Sequence, residues 1–137
     1  MKTMAFIFIV GISFGSCTKY SEGPFVSLRT RTERMANNWK IGKAIDNGTD
    51  VTSDYDVYTL DLTKKGEATL TASYLFLGVA YDFTTKGTWS FVNNEVEVSF
   101  DFDNNDADGI YEIQSLHEDE LWLKDNNSSV ELHFVPR

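Results

Sequence analysis

The chain has 137 residues, with 21 acidic against 12 basic side chains and a formal net charge of −9. That length supports one core and little more, and so acidic a surface repels nucleic acid and anionic headgroups, so no nucleic-acid partner is expected. The single cysteine rules out a disulfide framework and a cysteine pair for zinc.

The first residues, MKTMAFIFIVGISFGSC, carry one positive charge at Lys2, an apolar run from Met4 to Phe14 and small residues before Cys17. This is the layout of a secretory signal peptide, and the apolar run is too short to span a bilayer. Phe14-Gly15-Ser16-Cys17 resembles the lipobox of bacterial lipoproteins, in which cleavage leaves the cysteine as the lipid-modified first residue. The resemblance implies a signal segment over residues 1–16 and acylation at Cys17. Membrane lipid is then a partner through the acyl chains, and the location is the bacterial cell envelope, periplasmic or surface-facing. Residues 17–26 contain TKYSEGPF and read as a flexible tether. A short helix follows, with Ser27 as N-cap and Leu28 and Met35 on one face. Arg29, Arg31, Glu33 and Arg34 fall mostly on its solvated side.

From Trp39 onward the period changes to two. Ala68, Leu70, Ala72, Tyr74 and Phe76 alternate with Glu67, Thr69, Thr71 and Ser73. Val96, Val98, Phe100 and Phe102 alternate with Glu95, Glu97, Ser99 and Asp101. Such runs predict about eight half-buried antiparallel strands, near residues 39–46, 56–63, 67–76, 79–92 with a bulge or break at Gly87, 95–102, 110–116, 121–124 and 130–135. Turn signals such as Asp46-Asn47-Gly48 and Lys64-Lys65-Gly66 separate them at hairpin spacing. The predicted fold is all-β, an up-and-down barrel over residues 27–137 with a short N-terminal helix. The same alternation also permits a two-sheet sandwich, though the short connections favour the barrel.

The short helix, Trp39 at the start of the first strand, the eight-strand meander and a closing hairpin, Tyr111-x-Ile113-x-x-Leu116 followed by Leu121-x-Leu123, together resemble the small lipocalin-like lipoproteins of bacteria, with a calycin-type β-barrel. The similarity covers roughly residues 23–136 and implies a small-molecule binding fold without naming a ligand.

The predicted inward face is strongly aromatic: Tyr58, Tyr74, Phe76, Trp89, Phe91, Phe100, Phe102, Tyr111 and Phe134. These rings either line a cavity for a small hydrophobic or amphipathic ligand or fill the barrel outright. Trp122, between inward Leu121 and Leu123, is expected to point outward and is the candidate contact for another envelope protein. The acidic stretch DFDNNDADGIYE fits no calcium loop: one register puts Asp106 where glycine is needed, and the other puts Ser115 where the bidentate acid belongs. His117-Glu118 lacks the second histidine of a zinc-protease motif, and His133 is expected at an exposed edge. No catalytic set, metal site or cofactor is expected. The sequence therefore predicts a lipid-anchored binding barrel without catalysis, or else a solid-core interaction lipoprotein.

Overall fold

The computed structural model describes residues 21–22 and 29–137, except for the side chains of residues 21, 22, 74 and 76. Cys17, the signal segment 1–16, Ser27 and Leu28 lie outside the described residues. Within the predicted tether, β1 (Ser21–Glu22) is paired rather than free. The helix, α1 (Arg31–Met35), starts later than predicted, with Thr30 as N-cap in place of Ser27. Spacing explains the shift. Glu33 stands three residues after Thr30, and the Glu33 N–H donates to Thr30 Oγ1 at 3.1 Å while the Thr30 N–H donates to Glu33 Oε2 at 2.9 Å. This reciprocal capping box needs a Glu or Gln at the third helical position, which a cap at Ser27 would not have. Arg34, predicted on a solvated face, is buried, and Arg31 pairs with Glu95 at 2.7 Å.

The remaining elements are β2 (Asn38–Asp46), β3 (Thr49–Asp50), β4 (Val57–Leu62), β5 (Glu67–Phe76), β6 (Val79–Val92), β7 (Glu97–Phe102), β8 (Gly109–Leu116), β9 (Leu121–Asp125) and β10 (Val130–Pro136). Strands pair in the order β8, β7, β6, β5, β4, β2, β10, β9, and β9 returns to β8. The result is a closed, antiparallel eight-stranded barrel, compatible with a calycin-type fold, and its eight strands are those the alternation predicts. Closure buries one face of each strand and leaves no edge on the ring. β1 runs parallel to β8, with Ser21 opposite Ser115, and β3 pairs with β2. No helix among the described residues is long and apolar enough to cross a membrane.

Two irregularities keep apolar residues inward where strict alternation would turn them out. In β8, Ile113 faces Leu123 and Ser115 faces Trp122, so Gln114 is an extra residue. The bulge brings Leu116 inside beside Leu121. In β2, Gly42 has no partner between the His133–Lys43 and Phe134–Ile41 pairs, and the shift turns Ala44 inward after Trp39 and Ile41.

Gly87 is not the bulge or break that the sequence predicts. β6 runs through it without a register shift, pairing Gly87 with Ala68 on one side and Phe102 on the other. A Cβ there would lie 2.0 Å from the Asp101 carbonyl oxygen, so glycine is needed because the neighbouring backbone comes too close for any side chain.

One end of the barrel is closed by α1, the β4–β5 and β6–β7 turns and the β8–β9 turn. Trp39 is fully buried there, and its Nε1–H donates to the Met35 carbonyl at 2.9 Å. The opposite end carries the β5–β6 hairpin, the β7–β8 and β9–β10 loops and the segment joining β3 to β4. Two turns at this end use left-handed backbone at both central residues, Asn47-Gly48 (φ 51° and 81°) and Leu77-Gly78 (φ 50° and 76°). Asn-Gly suits this geometry; a leucine in it is strained by about 1–2 kcal/mol. Leu77 is also 87% exposed. Leu77→Asn should therefore raise stability by about 1 kcal/mol, read as a higher urea midpoint at unchanged slope.

Candidate functional site

The barrel interior is filled. Phe100, Phe102, Phe134, Leu60, Leu70, Leu123 and Leu132 enclose a void of only about 10 Å³, room for at most about one water. Phe100 stacks on Phe102 with ring centroids 5.8 Å apart, and the small residues Ala68 and Ala72 of β5 make space for these rings. Trp89 and Phe91 meet edge-to-face at 5.4 Å toward the closed end, where Trp89 Nε1–H donates to the Thr63 carbonyl at 2.9 Å. They line no cavity among the described residues.

Space opens above this floor. At the open end lies a cup of about 310 Å³ walled by Tyr55, Tyr58, Tyr81 and Tyr111, with Asp106, Asp108, Asp125 and Ser128 around it and Val130 and Leu132 beneath. That volume is at the lower limit of small-molecule sites. A wider depression of about 580 Å³ between Asn47, Lys124, Asn126 and Glu131 has no aromatic or apolar residue in its lining. It is a solvated trough between two turns and offers little to hold a ligand.

Of the nine aromatic residues predicted to line a pocket, Tyr58 and Tyr111 reach the cup. Phe100, Phe102 and Phe134 form its packed base, Trp89 and Phe91 lie elsewhere, and the side chains of Tyr74 and Phe76 lie outside the described residues. The base holds the two tyrosines in place: Tyr58 lies 6.0 Å from Phe134 and Tyr111 meets Phe100 edge-to-face at 5.7 Å.

Tyr55 and Tyr81 are cup residues that the strand pattern alone does not reveal. Tyr55 precedes β4 in a connection without periodicity. It is delivered by the 3-10 turn Thr52–Asp54, where Thr52 Oγ1 donates to Asp50 Oδ1 at 2.6 Å and accepts from the Ala44 N–H at 3.0 Å. Its ring then meets Tyr58 edge-to-face at 5.6 Å. Tyr81 did have a signal, because it shares odd parity with the buried or half-buried Phe83, Thr85, Trp89 and Phe91. A break at Gly87 would hide that continuity, and no break exists.

The acidic loop between β7 and β8 is held by its own side chains. Asn104 Oδ1 accepts from the Asp106 N–H at 3.1 Å, the Asn104 N–H donates to Thr85 Oγ1 at 3.0 Å, and Asp108 Oδ1 accepts from the Phe102 N–H at 2.5 Å. In the β9–β10 turn, Asp125 accepts from the Asn127 N–H at 2.9 Å and from Ser128 Oγ at 3.1 Å. Among the described residues no three His, Cys, Asp or Glu side chains are grouped to hold a metal ion. His117 sits at the β8–β9 turn, where its N–H donates to the Glu120 carbonyl at 2.8 Å.

His133 is not the edge residue that the sequence predicts, because β10 lies between β9 and β2 inside the sheet. Trp122 lies parallel to it across the β9–β10 pair, with ring centroids 4.0 Å apart and 5° between planes. The indole is half-buried against this neighbour rather than fully presented to solvent. No known family and no curated protein matches the chain.

Asp50 gives the loop beneath Tyr55 a pH dependence. The hydroxyl of Thr52, then its backbone N–H, then Lys43 hold this carboxyl below its ordinary pKa. A depressed carboxyl pKa stabilises the fold above the unfolded value, about 3.9, and the gain is lost as pH falls through the folded value. Thr52→Val removes the hydroxyl and keeps the N–H, so the Asp50 midpoint should rise part of the way toward normal in a carboxyl NMR titration. The stability gap from wild type should be largest above about pH 4 and shrink below it.

Proposed function

We propose that this chain is a lipid-anchored barrel protein of the bacterial cell envelope that binds a small amphipathic molecule, without catalysis, at its open end. The observation that carries the binding half is the contrast in volume: about 10 Å³ inside the barrel against about 310 Å³ in the tyrosine-walled cup above it. An apolar molecule has no interior to enter, so the ligand is one that apolar surface and polar groups can share at a wet mouth. Small amphiphiles screened by thermal shift should raise the melting temperature, since a ligand that binds only the folded state stabilises by mass action. Ser128→Trp places a ring in the cup and gives up the Ser128 Oγ bonds to Asp125 and from the Val130 N–H; it should abolish the shift while the unliganded protein still melts cooperatively, at a somewhat lower temperature.

The anchoring half rests on the sequence alone, on the apolar run and Gly15-Ser16-Cys17. Diacylation holds a protein durably on a bilayer, since each buried methylene contributes about 0.8 kcal/mol. Cys17→Ser should move the protein from the membrane to the soluble fraction of fractionated cells and remove label from a palmitate analogue.

A second reading, an interaction lipoprotein with a solid core, is favoured by the β5–β6 hairpin. Residues 68–81 carry no charge in a chain of net −9, and Leu75, Leu77 and Val79 stand exposed at the tip. Under that reading Leu77→Asn, which stabilises the fold, would abolish the contact with an envelope protein and leave the cup unaffected.

A further inference from the structure

We infer that the cup selects small organic cations, an ammonium group carried on a compact apolar body; the inference rests on the reading of the open end as a binding site and names its ligand class. Among the described residues every formal charge in the lining is negative, contributed by Asp106, Asp108 and Asp125, with no Lys, Arg or His beside them. The net charge of −9 adds a field of the same sign, which draws cations toward the mouth and turns anions away. Four tyrosines share the lining with these carboxylates, and the face of a tyrosine ring attracts a cation through its quadrupole. Val130 and Leu132 supply apolar surface beneath.

Two of the three carboxylates are held in place and keep capacity to accept. Among the described residues Asp108 takes one hydrogen bond, from the Phe102 N–H, and Asp125 takes two, from the Asn127 N–H and Ser128 Oγ. An ionised carboxylate has about four acceptor sites, so lone pairs remain for a ligand. A neutral apolar molecule in the same place would strip water from these charges and return nothing. A bare metal ion fits no better, because hard cations need converging oxygens at about 2.0–2.6 Å and no such group exists among the described residues. A weakly hydrated organic cation uses both parts of the lining at once, rings for its body and carboxylates for its charge.

The test uses the full chain in neutral detergent, with resonances of Tyr55, Tyr58, Tyr81 and Tyr111 followed by NMR. The probes are choline, its neutral isostere 3,3-dimethylbutan-1-ol, the anion 3,3-dimethylbutanoate and calcium chloride. Choline should shift the four tyrosines saturably, the neutral isostere should bind about tenfold more weakly or worse, and the anion should not bind. Asp108→Asn keeps the one acceptor oxygen that takes the Phe102 N–H, so the melting temperature should stay close to wild type while choline binding weakens several-fold; Asp125→Asn keeps the acceptor for the Asn127 N–H but loses the one for Ser128 Oγ, and should weaken choline binding with a small drop in melting temperature. Equal binding of the neutral isostere would overturn the cation inference and leave the binding cup standing. Calcium that shifts the same tyrosines and displaces choline would overturn it in favour of a metal site. If none of the four probes moves the tyrosines, and the amphiphile screen is also silent, both the inference and the binding reading fail; if the screen finds a ligand, only the inference does.

Discussion

The hydrogen bond from Trp39 Nε1 to the Met35 carbonyl is the constraint on which the architecture depends. It joins the last residue of the helix to the first inward residue of the barrel, four positions on, at a point where both side chains are fully buried. A helix of five residues has little stability of its own. Its position comes from the capping box at Thr30 and Glu33 at one end and from the indole at the other. With this bond made, Met35, Trp39, Leu116 and Leu121 are all fully buried, and neither the indole N–H nor the Met35 carbonyl is left unpaired. A barrel plugged at one end can present a site only at the other.

The aromatic content follows from the same geometry. Eight strands enclose a space that side chains can fill, and Phe100, Phe102 and Phe134 fill it with leucines of the same interior. Toward the mouth the inward track of β6 passes from Phe83 to Tyr81, and Tyr58 and Tyr111 rest against Phe134 and Phe100 of other strands. A tyrosine at this depth keeps its ring on the apolar floor and its hydroxyl toward water. The solid core is thus the support that fixes the rings of the cup, and a filled barrel and a binding mouth are compatible.

Much of this was legible in the sequence because alternation is a backbone property: side chains of a strand must point to opposite faces, and one face here is mostly apolar. Tyr58, Tyr111, Phe100, Phe102 and Phe134 were readable on that ground. The pattern fails where the backbone departs from strict pleating or from strand altogether. Gln114 and Gly42 are extra residues that reset parity, and nothing in their identity announces a bulge. Gly87 looked like an interruption because glycine weakens strands, whereas its role is set by a carbonyl from β7 that is remote in sequence. Tyr55 and the three aspartates sit in loops whose positions come from side-chain hydrogen bonds, such as Thr52 to Asp50 and Asn104 to the Asp106 N–H. His133 was placed at an exposed edge because it alternates outward beside Val130, Leu132 and Phe134, yet closure of the ring puts the last strand between two others.

Closure also bears on how an anchored barrel would be oriented. β1 meets β8 at Ser115 and Leu116, beside the plugged end. Cys17 precedes Ser21 by four residues, a reach of at most about 14 Å for extended chain. The mouth end of β8, at Gly109, lies six residues from Ser115, about 20 Å along the strand. β1 runs parallel to β8, in the direction from the mouth to the plugged end. Under the proposed acylation of Cys17, the lipid would lie within that four-residue reach of the β1–β8 pair, on the flank of the barrel. A lining of tyrosine and aspartate suits a cup that samples solutes better than it would suit one that takes acyl chains. The uncharged β5–β6 hairpin, with Leu77 strained and exposed at its tip, belongs to the same end of the barrel as the cup, so a partner bound there and a ligand bound in the cup would meet the protein from one side.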